Sequence, residues 1–110
     1  MGLILDAACA ACAFRAGGLR LGATHAEIGQ HDVCTRELYL APCCARVQSV
    51  RVFLGRPLPE VSCEECARPL PLRPEHRYRI ATLKGEVFRA HPCPRCGARA
   101  LAFSPQAEFR

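Results

Sequence analysis

Nine cysteines stand in a chain of 110 residues, and six of them form Cys-x-x-Cys pairs: Cys9/Cys12, Cys63/Cys66 and Cys93/Cys96. The others are Cys34 and the adjacent Cys43 and Cys44. A two-residue gap in a tight turn aims both sulfurs at one point, and two such turns complete a tetrahedral set of thiolates for a metal such as zinc. Secreted chains use cysteines this dense as disulfides, whereas reduced compartments use them for metal or redox chemistry. The odd count rules out complete intramolecular disulfide pairing.

The start, Met1-Gly2-Leu3-Ile4-Leu5-Asp6, has no basic stretch and no long apolar run, so no signal peptide is expected. Asp6 stands where a myristoylation signal needs Ser or Thr. No run of about 18 apolar residues offers a membrane span. A cytoplasmic, reduced protein with no membrane partner is the expectation.

The elements that must position the cysteines emerge from aligning the chain on its turns. The segments Cys9-Ala-Ala-Cys12-Ala13, Ala41-Pro42-Cys43-Cys44-Ala45, Cys63-Glu-Glu-Cys66-Ala67 and Cys93-Pro94-Arg95-Cys96-Gly97 share one form, in which a cysteine is followed by a small residue. Ala41 then stands in the first-cysteine slot of the second segment, and Cys43 in a spacer slot. The chain reads as two copies of turn, middle segment, turn and closing strand, over roughly 3–54 and 60–104. Unit 1 is assigned to 1–55 and unit 2 to 56–110, with Gly55-Arg56-Pro57-Leu58-Pro59 as a short stiff linker.

Short strands dominate the reading. Val47–Leu54 is β-rich and partly alternating. Tyr78–Leu83 alternates, Lys84-Gly85 can turn it into Glu86–Arg89, and Arg99–Phe103 can return beside that hairpin as a third strand. Thr24-His-Ala-Glu27 resembles a capping box and predicts one short helix near 24–33, with a polar loop as the alternative. The expected fold is small, metal-stabilised and mostly β.

In the second copy, Cys63-x2-Cys66 and Cys93-x2-Cys96-Gly97 are separated by 26 residues and supply four thiolates. Gly97 allows a left-handed backbone just past the last sulfur. A β-hairpin between two such turns resembles the zinc ribbon superfamily, and Cys-Pro-Arg-Cys-Gly is its most specific mark. The resemblance implies a structural zinc site at Cys63, Cys66, Cys93 and Cys96, with iron in a rubredoxin-like site as the competitor. With sulfur at every position, no place remains for a reactive water, so no catalysis is expected there.

The first copy resembles a zinc ribbon but departs at Ala41. Cys9, Cys12 and Cys44 are good ligands, and the fourth is taken as Cys43 first, Cys34 second and His31 third. Neighbours on an extended chain point to opposite sides, so Cys43 and Cys44 need a tight turn to bind together. A tandem protein with two zinc ions is the result. The 18 residues between Cys44 and Cys63 also permit the other pairing, Cys43/Cys44 with Cys63/Cys66 and Cys9/Cys12 with Cys93/Cys96. That pairing discards the internal repeat, so the first is expected. His25, His76 and His91 are read as solvent-exposed.

The formal net charge of +5 counts cysteines as neutral. Each four-thiolate zinc site carries about −2, so two of them bring the balance to about +1. The basic excess lies in the second half, where Arg73, Arg77, Arg79, Lys84, Arg89, Arg95 and Arg99 offer a polyanion contact, RNA or DNA included. Tyr78, Phe88 and Phe103 are expected in the core rather than as base-stacking platforms.

No glycine-rich phosphate loop, nucleophile elbow or His-Glu-x-x-His occurs. The expected function is a non-enzymatic zinc-binding module docking on a protein or nucleoprotein complex of the transcription, translation or RNA-processing kind. The alternative is metal delivery or sensing through the irregular Cys43/Cys44 cluster. A thiol redox protein would need its Cys-x-x-Cys at a helix start in a βαβ unit, which the sequence lacks.

Overall fold

The computed structural model describes residues 2–22, 34–53, 55–82 and 85–109. Two long hairpins form its frame: β1 (Gly2–Cys9) with β2 (Arg15–Gly22), and β3 (Cys34–Ala41) with β4 (Arg46–Phe53). Between Val61 and Glu86 come four two-residue strands, β5 (Val61–Ser62), β6 (Pro69–Leu70), β7 (Ala81–Thr82) and β8 (Gly85–Glu86), and one 3₁₀ turn at Pro74–His76. The last strand, β9 (Leu101–Phe109), runs antiparallel to β1, giving a five-stranded sheet of order β4-β3-β2-β1-β9. No α-helix occurs among the described residues, and no helix is long and apolar enough to cross a membrane. The helix expected near 24–33 lies outside the described residues.

Alternation explains the two-faced sheet. Leu5, Ala7 and Cys9 of β1 are buried while Asp6 and Ala8 are exposed, as the two-residue period of a strand requires. β3 and β4 are buried on both faces. Leu38 and Val47 join a main core with Leu5, Leu19, Tyr78, Ile80, Leu101 and Phe103. On the opposite face Tyr39, Val50 and Val52 pack against Val61 and Leu72, and Ala41 packs against Cys63 and Leu70. Residues 61–72 therefore cover one face, and residues from Tyr78 onward cover the other.

The change of face occurs where β2 and β3 part. These strands pair at Gly22↔Arg36. Further along, β3 pairs with the chain at Arg77 through a Tyr39↔Arg77 bridge, and the Tyr78 N–H donates to the Leu38 carbonyl at 2.9 Å. This insertion carries the backbone to the second face with its polar groups satisfied.

The predicted strand at 47–54 corresponds to β4, and the predicted hairpin after Tyr78 survives as β7 and β8. Gly85 stands within β8 opposite Thr82 rather than in the turn. The closing strand of the second copy is a correction. It begins at Leu101 rather than Arg99 and runs to Phe109 along β1, from Cys9↔Leu101 to Gly2↔Phe109. Among the described residues its backbone hydrogen bonds to the preceding segment are the Phe103 N–H donating to the Phe88 carbonyl at 2.7 Å and those of the His91↔Leu101 bridge. A nine-residue strand finds far more pairing along β1 than beside a two-residue hairpin. The two assigned units, 1–55 and 56–110, thus share one sheet.

Candidate metal centres

Because β1 and β3 run in the same direction, the tips of both long hairpins lie at one end of the sheet. These two tips and the turns at Cys63 and Cys93 close in the same way. The N–H of Cys9 donates to the carbonyl of Phe14 at 3.1 Å, that of Cys63 to Arg68 at 2.9 Å and that of Cys93 to Ala98 at 2.9 Å. In each pair the acceptor lies five residues on, and Ala41↔Arg46 of the second hairpin has the same offset. Ala45, Ala67 and Gly97, the residues just after the last cysteine of their turns, all have positive φ, at 48°, 61° and 75°. The aligned repeat is thus a repeat of turns, and Ala41 occupies the first-cysteine slot, fully buried.

The turns bring eight cysteines into two quartets, Cys9/Cys12/Cys93/Cys96 and Cys43/Cys44/Cys63/Cys66, the sulfurs of each within 4.8 Å of one another. This corrects the expected pairing within each copy. Each quartet draws one turn from each half of the chain, because β9 returns to β1 and residues 61–72 dock on β3 and β4. The arrangement is the one the 18-residue spacing permitted. Cys43 takes the fourth position beside Cys44, as expected, but with Cys63 and Cys66 as their partners. Cys34 begins β3, buried and outside both quartets. His31 lies outside the described residues.

The separations suit a metal. Cys9 to Cys96 is 3.7 Å, Cys12 to Cys93 is 3.6 Å and Cys43 to Cys66 is 3.6 Å. A tetrahedron with metal–sulfur bonds of about 2.3 Å has edges of about 3.8 Å. Both quartets could therefore hold an ion with little movement.

Backbone N–H groups are distributed unequally over the sulfurs. In the first quartet Ala11 donates to Cys9 at 3.3 Å, Phe14 to Cys12 at 3.5 Å and Arg95 to Cys93 at 3.4 Å. Burial is the largest influence on Cys93 and raises its pKa. The N–H groups of Cys96 and Arg95, with the Cys12 and Cys96 thiols, outweigh it and bring Cys93 down to about 7. The Phe14 N–H lowers Cys12, but burial and the Cys93, Cys9 and Cys96 thiols raise it to about 11. In the second quartet the Cys66 N–H lowers Cys63 most; burial opposes it, the Glu65 N–H assists it, and the result is about 7. The Cys66 thiol, burial and the Cys63 and Cys43 thiols push Cys44 up to about 12, and contact with the Cys63 thiol raises Cys43.

Specific side chains dock each turn. Gln48 is 4% exposed; its Nε2 donates to the Ser62 carbonyl and its Oε1 accepts from the Glu64 N–H, both at 2.9 Å. Arg46 reaches Glu65 at 3.0 Å and Glu64 at 3.4 Å, joining the same turn to the hairpin tip. At the other quartet, the Ala10 N–H donates to the Ala100 carbonyl at 3.0 Å and the Tyr78 hydroxyl to the Pro92 carbonyl at 2.9 Å. His91, read as solvent-exposed, is buried: its Nε2 lies 2.9 Å from the Val87 carbonyl, and its ring packs edge-on against Tyr78 and Phe103. Gln48 and Arg46 were not picked out by sequence. A polar residue between Val47 and Ser49 carries no local mark of its role.

The arginine set is dispersed. Arg77 pairs with Glu37 at 2.9 Å. Arg95 lies 5.6 Å from the centre of the Phe14 ring. Arg89 and Arg99 flank a hollow of about 590 Å³ with Phe88, Phe103 and Ser104. Arg79 shares another hollow with Arg36 and Arg77, Arg73 is exposed, and Lys84 lies outside the described residues. Tyr78 and Phe103 are buried and Phe88 packs on the core, as expected.

Fold and sites together define a small antiparallel β protein with two four-cysteine clusters, each able to hold a metal ion. No protein-family model, curated protein or solved structure matches the chain.

Proposed function

We propose that the protein is a non-enzymatic zinc-binding interaction module that docks on a protein or nucleoprotein complex. The observation that carries the reading is the pair of sulfur-only quartets, whose sulfurs all lie within 4.8 Å of one another, with the Cys9–Cys96, Cys12–Cys93 and Cys43–Cys66 pairs at 3.6–3.7 Å. Four thiolates fill a tetrahedral shell, so the ion holds the fold together and offers no open position for a substrate or water. The likeness of the individual cysteine turns, Cys93-Pro94-Arg95-Cys96-Gly97 above all, to those of zinc ribbons, abundant in transcription, translation and RNA-processing assemblies, supports this neighbourhood. A reducing compartment such as the cytoplasm suits eight thiols held as ligands. Arg73, Arg79, Arg89, Arg95 and Arg99 supply exposed guanidinium groups for an anionic partner surface.

Native mass spectrometry with metal analysis tests the centres: two zinc ions per chain are expected, and an iron site would show itself by its colour. Titration against RNA and DNA at several salt concentrations tests the partner. A steep salt dependence favours nucleic acid, and no binding leaves a protein surface.

The second reading, metal sensing or delivery, is favoured by the exposure of Cys43 and Cys66. One tightly held and one readily exchanged ion would support it.

A further inference from the structure

The two quartets differ in ways that matter for reactivity. In the regular turns an N–H points at sulfur, and such bonds withdraw charge from a thiolate and lower its nucleophilicity. The turn holding Cys43 and Cys44 is the irregular one. Its first slot is filled by Ala41, and among the described residues neither Cys43 nor Cys44 accepts a backbone N–H, whereas Cys9, Cys12 and Cys93 each do. Exposure adds to this. Cys43 and Cys66 are both exposed and their sulfurs are 3.6 Å apart. In the other quartet Cys96 is exposed, but its neighbour at 3.7 Å is the buried Cys9.

We propose that the Cys43/Cys44/Cys63/Cys66 centre is an oxidant-reactive site, at which a hydroperoxide joins Cys43 to Cys66 as a disulfide and frees the ion, while the Cys9/Cys12/Cys93/Cys96 centre keeps its own. The inference rests on the zinc reading and deepens its sensing form. The Cys43 thiolate attacks the distal oxygen of hydrogen peroxide. The O–O bond breaks, hydroxide leaves and takes up a proton, and sulfenic acid remains on Cys43. The Cys66 sulfur then displaces that hydroxyl as a second water, forming the S–S bond. Two thiolates, one peroxide and two protons give one disulfide and two waters, with peroxide the species reduced. Two of four ligands are lost, and the remaining pair no longer retains the metal. Cys34, buried at the start of β3, takes no part.

The test uses the zinc-loaded full chain. Hydrogen peroxide is added, released zinc is followed with a chromogenic chelator, and cysteines are trapped and mapped by mass spectrometry. One zinc should leave about tenfold faster than the other, the size expected from losing the damping of one or two N–H···S bonds. Peptides joined through Cys43–Cys66 should accumulate in that fast phase. Two ions lost at equal rates, or a fast phase mapping to Cys9 and Cys96, overturns the inference alone. A chain that binds no zinc at the outset overturns the zinc reading with it.

Discussion

Replacing Gln48 with leucine should loosen one metal centre and leave the other intact. The Gln48 side chain is almost completely buried and both of its polar atoms bond the turn that carries Cys63. Leucine fills similar space but removes both bonds, leaving the Ser62 carbonyl and the Glu64 N–H unpaired. A lost bond that leaves its partner buried costs about 1–3 kcal/mol. Ser62 and Glu64 are exposed residues, so water can recover part of that loss, and the lower end applies to each. The sum is about 2–3 kcal/mol. If the turn must be docked for its sulfurs to converge, this lowers zinc affinity at the Cys43/Cys44/Cys63/Cys66 centre by about 30- to 150-fold. Competition with a graded series of chelators reads the two sites separately. A single weakened site, with the first quartet unchanged, is the expected result. Unchanged affinity at both sites, or equal weakening of both, would refute the idea that Gln48 positions this turn.

Other perturbations follow from the same geometry. Tyr78→Phe removes the hydroxyl that donates to Pro92 and should cost about 1 kcal/mol in denaturant unfolding, with both ions kept; a loss under about 0.3 kcal/mol would mean the bond contributes nothing. The double change Ala41→Cys with Cys43→Ser moves a ligand to the slot used by the regular turns, and should retain two ions by native mass spectrometry while removing fast peroxide-driven release. Cys43→Ser without the second change should weaken that site, measured by chelator competition. Acid should strip both centres. The bound state holds thiolates, so the protein freed of metal carries more protons and lower pH favours release. Cys12 and Cys44, raised to about 11 and about 12, take up protons first, and Cys63 and Cys93, lowered to about 7, take them up last. Zinc uptake near pH 7 should release about three protons per ion; fewer than two would contradict four-thiolate binding.

What the sequence made legible was local. Two residues between cysteines define a turn, and the alignment that put Ala41 in a cysteine slot describes the real closure, since Ala41↔Arg46 matches Cys63 with Arg68 and Cys93 with Ala98. The mostly β character was also readable, because Val47–Phe53 and its neighbours alternate. Pairing of the turns was not readable from the repeat. Any turn supplies two sulfurs, so the turns are interchangeable locally, and the choice is made by distant events. β9 has more to gain along β1 than beside a short hairpin, and Gln48 reaches Ser62 and Glu64 on the face that residues 61–72 cover. His91 was misread for a related reason: its burial depends on Tyr78 and Phe103, 13 and 12 residues away in the chain.

The central claim is that each metal centre takes one turn from each half of the chain. Loading the protein with ¹¹³Cd and correlating each cadmium with the cysteine β-protons it couples to reads the ligands directly. The structure predicts one cadmium coupled to Cys9, Cys12, Cys93 and Cys96, and a second coupled to Cys43, Cys44, Cys63 and Cys66. A cadmium coupled to Cys63, Cys66, Cys93 and Cys96 together would contradict it.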